Sequence, residues 1–413
     1  MLNPRSRQPA HRVTTANLGA AYPFMAEGGL GIQSVYIGRD WYGGSFFYDP
    51  WALYPQVITG PNMVVVGQLG KGKSSLVKTY AWRQLVFGRK VVMLDPKGEN
   101  SRLCHAAGVD PIRIDRQGVV RLNPLDRRIA GRNQDRELIL LDQLDVLNAV
   151  IGAALGRELK PEEQAAAQVA LVQASRLREE TTLPDVAAAM LAPGREAAEE
   201  LSTRPWRLAE GSREAALSLR RVCEGDLRGM FDAATSVRVD FEAPIVSLDM
   251  SAVRHSPALG MLMVCAAAWF QRALMRESNV RRIVVIDEAW AILSNLAIAR
   301  WLQQSSKLAR AYGVQNIAVV HRLSDLDTAG GEQAKIARGL LSDSETQVIY
   351  AQSSAEAAQT QRLLDLSDEE TELSLQLVPH VALWRVGQRR FLVEHRLSQL
   401  ERWIVDTDDR MAP

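Results

Sequence analysis

The stretch Gly67-Gln-Leu-Gly-Lys-Gly72-Lys73-Ser74 decides how this chain is read. It follows the apolar run MVVV (63–66) and opens a helical segment over residues 74–87, which Gly88 stops. A strand, a glycine-rich turn and a helix in that order make a phosphate-binding loop. Glycines at Gly67, Gly70 and Gly72 let backbone N–H groups curl around phosphates. The helix amino terminus adds positive potential. Lys71 and Ser75 belong to the same turn; Lys73 is placed to reach the β- and γ-phosphates, and the Ser74 hydroxyl to bind magnesium. The ligands expected are ATP and Mg2+.

Outward from the loop, a βα rhythm continues. KVVML (90–94), PIVSLDM (244–250), RIVVID (282–287), NIAVVH (316–321) and TQVIYA (346–351) are continuous Val/Ile/Leu runs. Runs apolar on both faces suit a mostly parallel sheet covered by helices, so the fold class is α/β. Residues 126–242 contain no such run. Their Ala/Leu/Arg/Glu-rich composition and spacings such as Leu138, Leu141, Leu144 and Val146 predict an all-helical insertion, with Pro161 and Glu162-Glu163 opening one of its helices. Ser367-Asp-Glu-Glu370 reads as a capping box, and VALWRVG followed by QRRFLVEH as a hairpin turning at Gly387-Gln388.

Ahead of the loop, residues 1–30 read as a flexible segment. The aromatics Trp41, Tyr42, Phe46, Phe47, Tyr48, Trp51 and Tyr54 crowd around turn residues. They suit a β-ribbon packed on the next domain; a base-stacking surface is the alternative. The expected division is a flexible segment (1–30), ribbon and first part of the core (31–125), helical insertion (126–242), and second part of the core with carboxyl-terminal helices and hairpin (243–413).

Composition bounds the function. The 413 residues are 47% hydrophobic and 23% charged, and Lys+Arg 49 against Asp+Glu 48 leaves a net charge of +1. That excludes a disordered polyelectrolyte and argues against a basic nucleic-acid coat, while allowing a local patch. Cys104, Cys223 and Cys265 lie far apart with no Cys-x-x-Cys pair, so neither a disulfide framework nor a zinc site is expected, and a reducing cytosol fits. The longest apolar run, residues 258–270, has 13 residues against the roughly 20 of a bilayer span, which reads as a buried helix of a soluble chain.

Asp287-Glu288 ends the run IVVI (283–286), a Walker B pattern. A carboxylate at the carboxyl end of a parallel strand faces the ligand crevice. Asp287 is the expected magnesium ligand, and Glu288 the general base for the attacking water. His321, ending the next strand, is placed to donate to a γ-phosphate. Asp95 in DPKGE (95–99) is read either as touching the site or as structuring a turn. Lys73 is expected to be the main cation, with Lys71 the other basic residue beside these motifs. A second cation is therefore sought from a neighbouring subunit, and Arg310 in KLARAYG (307–313) is the candidate, with Lys307 a weaker one.

Together, Gly67–Ser74, DPKGE, IVVIDEAW (283–290), AVVHRLSDL (318–326), MFDAATS (230–236) and the LLDLSDEE…ALWRVGQRRFLVEH tail are similar to the HerA/FtsK branch of P-loop motors, within it to the traffic ATPases of conjugation and type IV secretion. The resemblance implies a RecA-like core, a homo-hexameric ring, and ATP-driven work with secretion or conjugation machinery proteins. Only 66 residues precede the P-loop here, where that branch carries a large docking domain, so membrane contact is expected only through partners, from the cytoplasmic side. The sensor position commonly held by Gln is His321. The expected function is an MgATP-hydrolysing ring motor of secretion-like transfer. The alternatives are a DNA translocase, with DNA as partner, and a non-hydrolysing nucleotide-gated scaffold.

Overall fold

The structure, a computed structural model, describes residues 29–406 apart from 33, 128–134, 238, 255, 257–258, 275–279, 290–302, 304–309, 322, 324–334, 336–337 and 342. Most of the expected flexible segment, 1–28, lies outside the described residues.

The described strands form one 11-stranded sheet. They are β1 (Val35–Asp40), β2 (Ser45–Tyr48), β3 (Met63–Val66), β4 (Lys90–Asp95), β5 (Ile112–Arg113), β6 (Ile245–Asp249), β7 (Arg282–Ile286), β8 (Val314–Val320), β9 (Thr346–Ile349), β10 (Val381–Val386) and β11 (Arg389–His395). Their spatial order is β2-β1-β11-β10-β9-β3-β8-β7-β4-β6-β5. Strands β9, β3, β8, β7, β4, β6 and β5 run parallel, and the other four continue the sheet antiparallel. Every expected core strand is present.

The parallel strands bury both faces, as their unbroken apolar runs require. Val64, Val66, Val92, Leu94, Val284 and Ile286 join one core. The alternate residues Met63, Val65, Val91, Met93, Ile283 and Val285 join the other. The P-loop helix, Lys73–Gln84, covers the second face with Leu76, Val77 and Tyr80. The first is covered by the helix Leu259–Leu274 and by the insertion.

The insertion is helical as expected, with helices Arg136–Leu155, Pro161–Leu177, Leu183–Leu191, Arg195–Glu200, Pro205–Gly211 and Arg213–Arg221. Its core is continuous with the sheet face. Its two connections are bonded together: Leu122 N–H donates to the Met230 carbonyl at 2.8 Å, and Ser236 N–H to the Arg121 carbonyl at 2.9 Å. The MFDAATS turn is therefore one side of a closed neck. Contrary to the apolar-run count, the helix Arg136–Leu155 is long and apolar enough to cross a bilayer by length and composition. Asp142 and Asp145 interrupt its run without making it polar, and Val146, Leu147, Val150 and Ile151 are buried in the insertion core.

The aromatic ribbon became part of the sheet, β1 pairing with β11. Phe46 packs on Trp384 and Phe391, and Tyr48 on Tyr80 and Trp384. Arg89 lies over the Trp51 ring at 4.4 Å. These rings pack on the chain's own groups, as a ribbon packed on the core does, while Trp41, Tyr42 and Tyr54 are exposed.

Candidate active site

Four parallel strands deliver the motifs to one edge of the sheet. The P-loop follows β3, DPKGE straddles the end of β4, Asp287-Glu288 follows β7, and His321 follows β8. The lateral order β3-β8-β7-β4 makes the last three immediate neighbours, so their carboxyl ends meet.

Gly67, Gly70 and Gly72 have φ of +147°, +73° and +111°, backbone that L-residues with a Cβ rarely adopt. A Cβ on Gly67 would sit 2.5 Å from the Tyr350 Cβ. The loop is braced from outside by backbone bonds: Gln68 N–H to the Ala351 carbonyl and His380 N–H to the Lys71 carbonyl, each at 2.9 Å. His380, itself at φ +65°, was not singled out by any sequence pattern.

Lys73 is buried and donates to the carbonyls of Gly67 at 2.5 Å and Gln68 at 2.7 Å. Burial lowers its pKa to about 8; the nearby charge of Lys97 adds to this, and Asp287 and Glu288 oppose it. The Ser75 hydroxyl is buried and has no hydrogen-bond partner among the described residues. An anionic ligand here would supply both needs, a counter-charge for Lys73 and a partner for Ser75. The residues fit a nucleotide triphosphate. Ser74 and Asp287 are those that would hold its magnesium, whose chemistry is to neutralise phosphate charge.

Glu288 adopts φ +54°, uncommon for a residue with a Cβ, and its N–H donates to Asp287 Oδ1 at 2.9 Å. Its carboxylate is met by Lys97, whose Nζ lies 2.9 Å from Glu288 Oε1 and 3.7 Å from Asp287 Oδ2. The same ammonium lies 2.9 Å from His321 Nε2. Burial pulls the Lys97 pKa down, but Asp287 and Glu288 outweigh it and hold the group charged. Burial, then Lys73 and Lys97, push His321 down to about 4, so the imidazole is neutral at pH 7. Its Nε2 accepts from the ammonium, which puts the ring proton on Nδ1.

Lys97 overturns the expectation that Lys71 is the other basic residue beside the Walker motifs. Asp95 explains its placement. Its carboxylate accepts from the N–H groups of Lys97 (3.1 Å), Gly98 (2.8 Å) and Asn100 (2.9 Å), holding the turn that aims Lys97. Of the two readings of Asp95, the turn is what these bonds display. Burial raises its pKa to about 6 against those bonds.

Arg310 is not part of this cluster. It precedes β8, at the opposite sheet edge from His321, and its Nη1 lies 3.4 Å from the Thr59 carbonyl. The length of β8 puts about 20 Å between them. Lys307 lies outside the described residues.

No protein-family model matches the sequence, and no curated protein matches it. Solved structures do. VirB4 of Thermoanaerobacter pseudethanolicus superposes with a TM-score of 0.71 at 21% identity, over 90% of this chain and 99% of that one. The unbound monoclinic form of the bacterial conjugative coupling protein TrwBdeltaN70 gives 0.60 at 16% identity, over 89% and 90% of the two chains. The plasmid coupling protein TrwB with the ATP analogue ADPNP gives 0.57 at 18%, over 82% and 86%. At these identities the likeness is one of fold: the chain is built on the RecA-like P-loop ATPase architecture of VirB4 and TrwB.

Proposed function

We propose that this chain is an MgATP-hydrolysing motor of conjugative or type IV secretion-like transfer. The observation that carries the reading is the convergence of Lys73 with Asp287 and Glu288 at the edge where the P-loop opens. A nucleotide store needs the loop and the magnesium ligand. A hydrolase also needs a base, and Glu288 is held beside the magnesium ligand in a backbone conformation that would be relaxed elsewhere. That favours hydrolysis over the scaffold alternative. TrwB, which shares the fold, has been solved with ADPNP and with ADP and Mg2+.

In this reading Gly67, Gly70, Lys71, Gly72 and Ser75 cradle the phosphates, Lys73 binds the β- and γ-phosphates, and Glu288 takes the proton of the attacking water. His321 senses the γ-phosphate through its neighbours. Subunits assemble as a hexameric ring at the inner face of the cell membrane, with secretion or conjugation proteins as partners. Arg310, too far to serve its own site, is the cation offered to the next subunit.

The test is ATP turnover against protein concentration, with and without DNA. Specific activity that rises with concentration supports the assembled motor. Strong DNA stimulation with steep salt dependence would turn the reading towards the DNA translocase. No turnover at any concentration contradicts both.

A further inference from the structure

Lys97 has no role in the reading above, yet its ammonium meets two carboxylates and a histidine. It is the point at which four functional groups meet: the proposed base, the proposed magnesium ligand, the sensor histidine and, by its electrostatic effect, the P-loop lysine. Two ammonium groups that feel each other's charge converge on one crevice. Asp287 and Glu288 offset part of that repulsion, and a triphosphate, with more charge than either carboxylate, would compete for both ammonium groups.

The geometry also sets a conflict. A carboxylate paired with an ammonium at 2.9 Å is a weakened base, because the same charge that stabilises the carboxylate opposes its protonation. The ammonium that meets the base also acts on Lys73, the lysine placed for the β- and γ-phosphates, so both cations face the same crevice. The γ-phosphate carries more charge than one carboxylate and competes for the same ammonium. His321 lies on the other side of the ammonium, its neutral Nε2 2.9 Å from Nζ, and gives the head a neutral acceptor as well as the carboxylates. The four-carbon stem lets the head move while the turn bonded by Asp95 holds the backbone.

Resting on the ATPase reading, we propose that Lys97 is a catalytic cation of this site, exchanging its ammonium from Glu288 to the γ-phosphate when a triphosphate is bound. The water oxygen forms its bond to the γ-phosphorus and its proton passes to Glu288. The bond from the γ-phosphorus to the bridging oxygen breaks, and ADP leaves with that electron pair. Lys97 stabilises the charge that spreads over the γ-oxygens, a role otherwise sought from a neighbouring subunit. ADP, which has no γ-phosphate, leaves Lys97 on Glu288.

The test compares Lys97→Met with the wild type in Mg2+ buffer, measuring binding of ADP and of ATPγS by calorimetry and hydrolysis of ATP in single turnover. The expected result is ADP affinity within about threefold of wild type, ATPγS at least about tenfold weaker, and hydrolysis slower by about 10²–10³. Lys97→Arg should regain part of the ATPγS affinity. Because Lys97→Met also removes an ion-pair partner of Glu288, the Lys97→Met/Glu288→Gln double variant repeats the binding test against Glu288→Gln alone, and the same selective loss is expected. An unchanged ratio of ATPγS to ADP affinity in both comparisons would overturn the proposal and reduce Lys97 to a structural partner of Glu288. Wild-type protein that binds neither nucleotide would instead overturn the ATPase reading, and this proposal with it.

Discussion

The backbone N–H of His380 donates to the carbonyl of Lys71 at 2.9 Å, so the carboxyl-terminal hairpin is bonded directly to the P-loop. The His380 ring continues the contact, its Nδ1 being 3.0 Å from where a Cβ on Gly72 would stand. On the other side Tyr350 closes on Gly67. The loop's shape is thus set by the last third of the chain as well as by its own glycines. Gly67→Ala should lose about 2–4 kcal/mol in urea unfolding, combining a disfavoured φ with a backbone-proximal clash. Nucleotide binding should fall with it. Gly70, where an added Cβ meets nothing within 4 Å, should lose only the smaller conformational share.

The P-loop helix is fixed at its far end by Arg83. Its guanidinium donates to both oxygens of Glu401, at 2.5 and 2.8 Å, and to the carbonyls of Tyr36, Ile37 and Arg396. One side chain joins the helix to β1, to the end of β11 and to the helix Gln399–Val405. Arg83→Ala would leave the buried Glu401 carboxylate with the Ser398 N–H but no counter-charge, and should cost about 3 kcal/mol. Glu401→Gln should cost less, since the carbonyl bonds of Arg83 survive. Urea unfolding of the two variants checks the order.

Acid should weaken the same region. His395 is pushed down to about 3, first by burial and then by the charges of Arg83 and His380, while its Nε2 bonds to the Thr79 hydroxyl at 2.8 Å. The unfolded imidazole titrates near 6.5, so between pH 6.5 and 3 the unfolded chain binds the extra proton and stability falls as pH falls. The full span is on the order of 5 kcal/mol. Asp95, raised to about 6, works the other way between about 4 and 6, which makes the difference between variants the clean measurement. His395→Gln should flatten the acid limb of stability against pH relative to wild type. Parallel curves would show that His395 does not carry it.

Much of this was legible in the chain itself. MVVV (63–66) and IVVI (283–286) read as buried strands because every residue in them is apolar, and Gly67–Ser74 and Asp287-Glu288 follow from the strand ends. β5 was not legible, since two residues, Ile112 and Arg113, carry no periodicity. Lys97 was visible within DPKGE but not as part of the site. Its meeting with Glu288 comes from β4 pairing beside β7, Leu94 against Ile286, a tertiary adjacency that local pattern does not encode. The signal that could have found it was that both motifs end parallel strands. Arg310 shows the reverse: it is near His321 in sequence, but β8 carries the two to opposite edges.

That separation makes the Arg310 proposal sharp. Arg310→Ala should bind ATP as wild type does and hydrolyse it poorly. Mixing it with Glu288→Gln should restore part of the turnover, because some interfaces in a mixed ring pair an intact base with an intact arginine. Mixed rings with no recovery would remove Arg310 from the chemistry and leave Lys97 as the second cation.

The most direct measurement is ATP turnover by Glu288→Gln beside its ATP affinity. The substitution keeps shape and removes the base, so affinity should remain close to wild type while turnover at saturating MgATP falls by about 10²–10⁴. Lys73→Ala, measured alongside, should lose nucleotide binding itself. Turnover of Glu288→Gln equal to wild type, with ATP bound as tightly, would contradict the assignment of this cluster as the hydrolytic site.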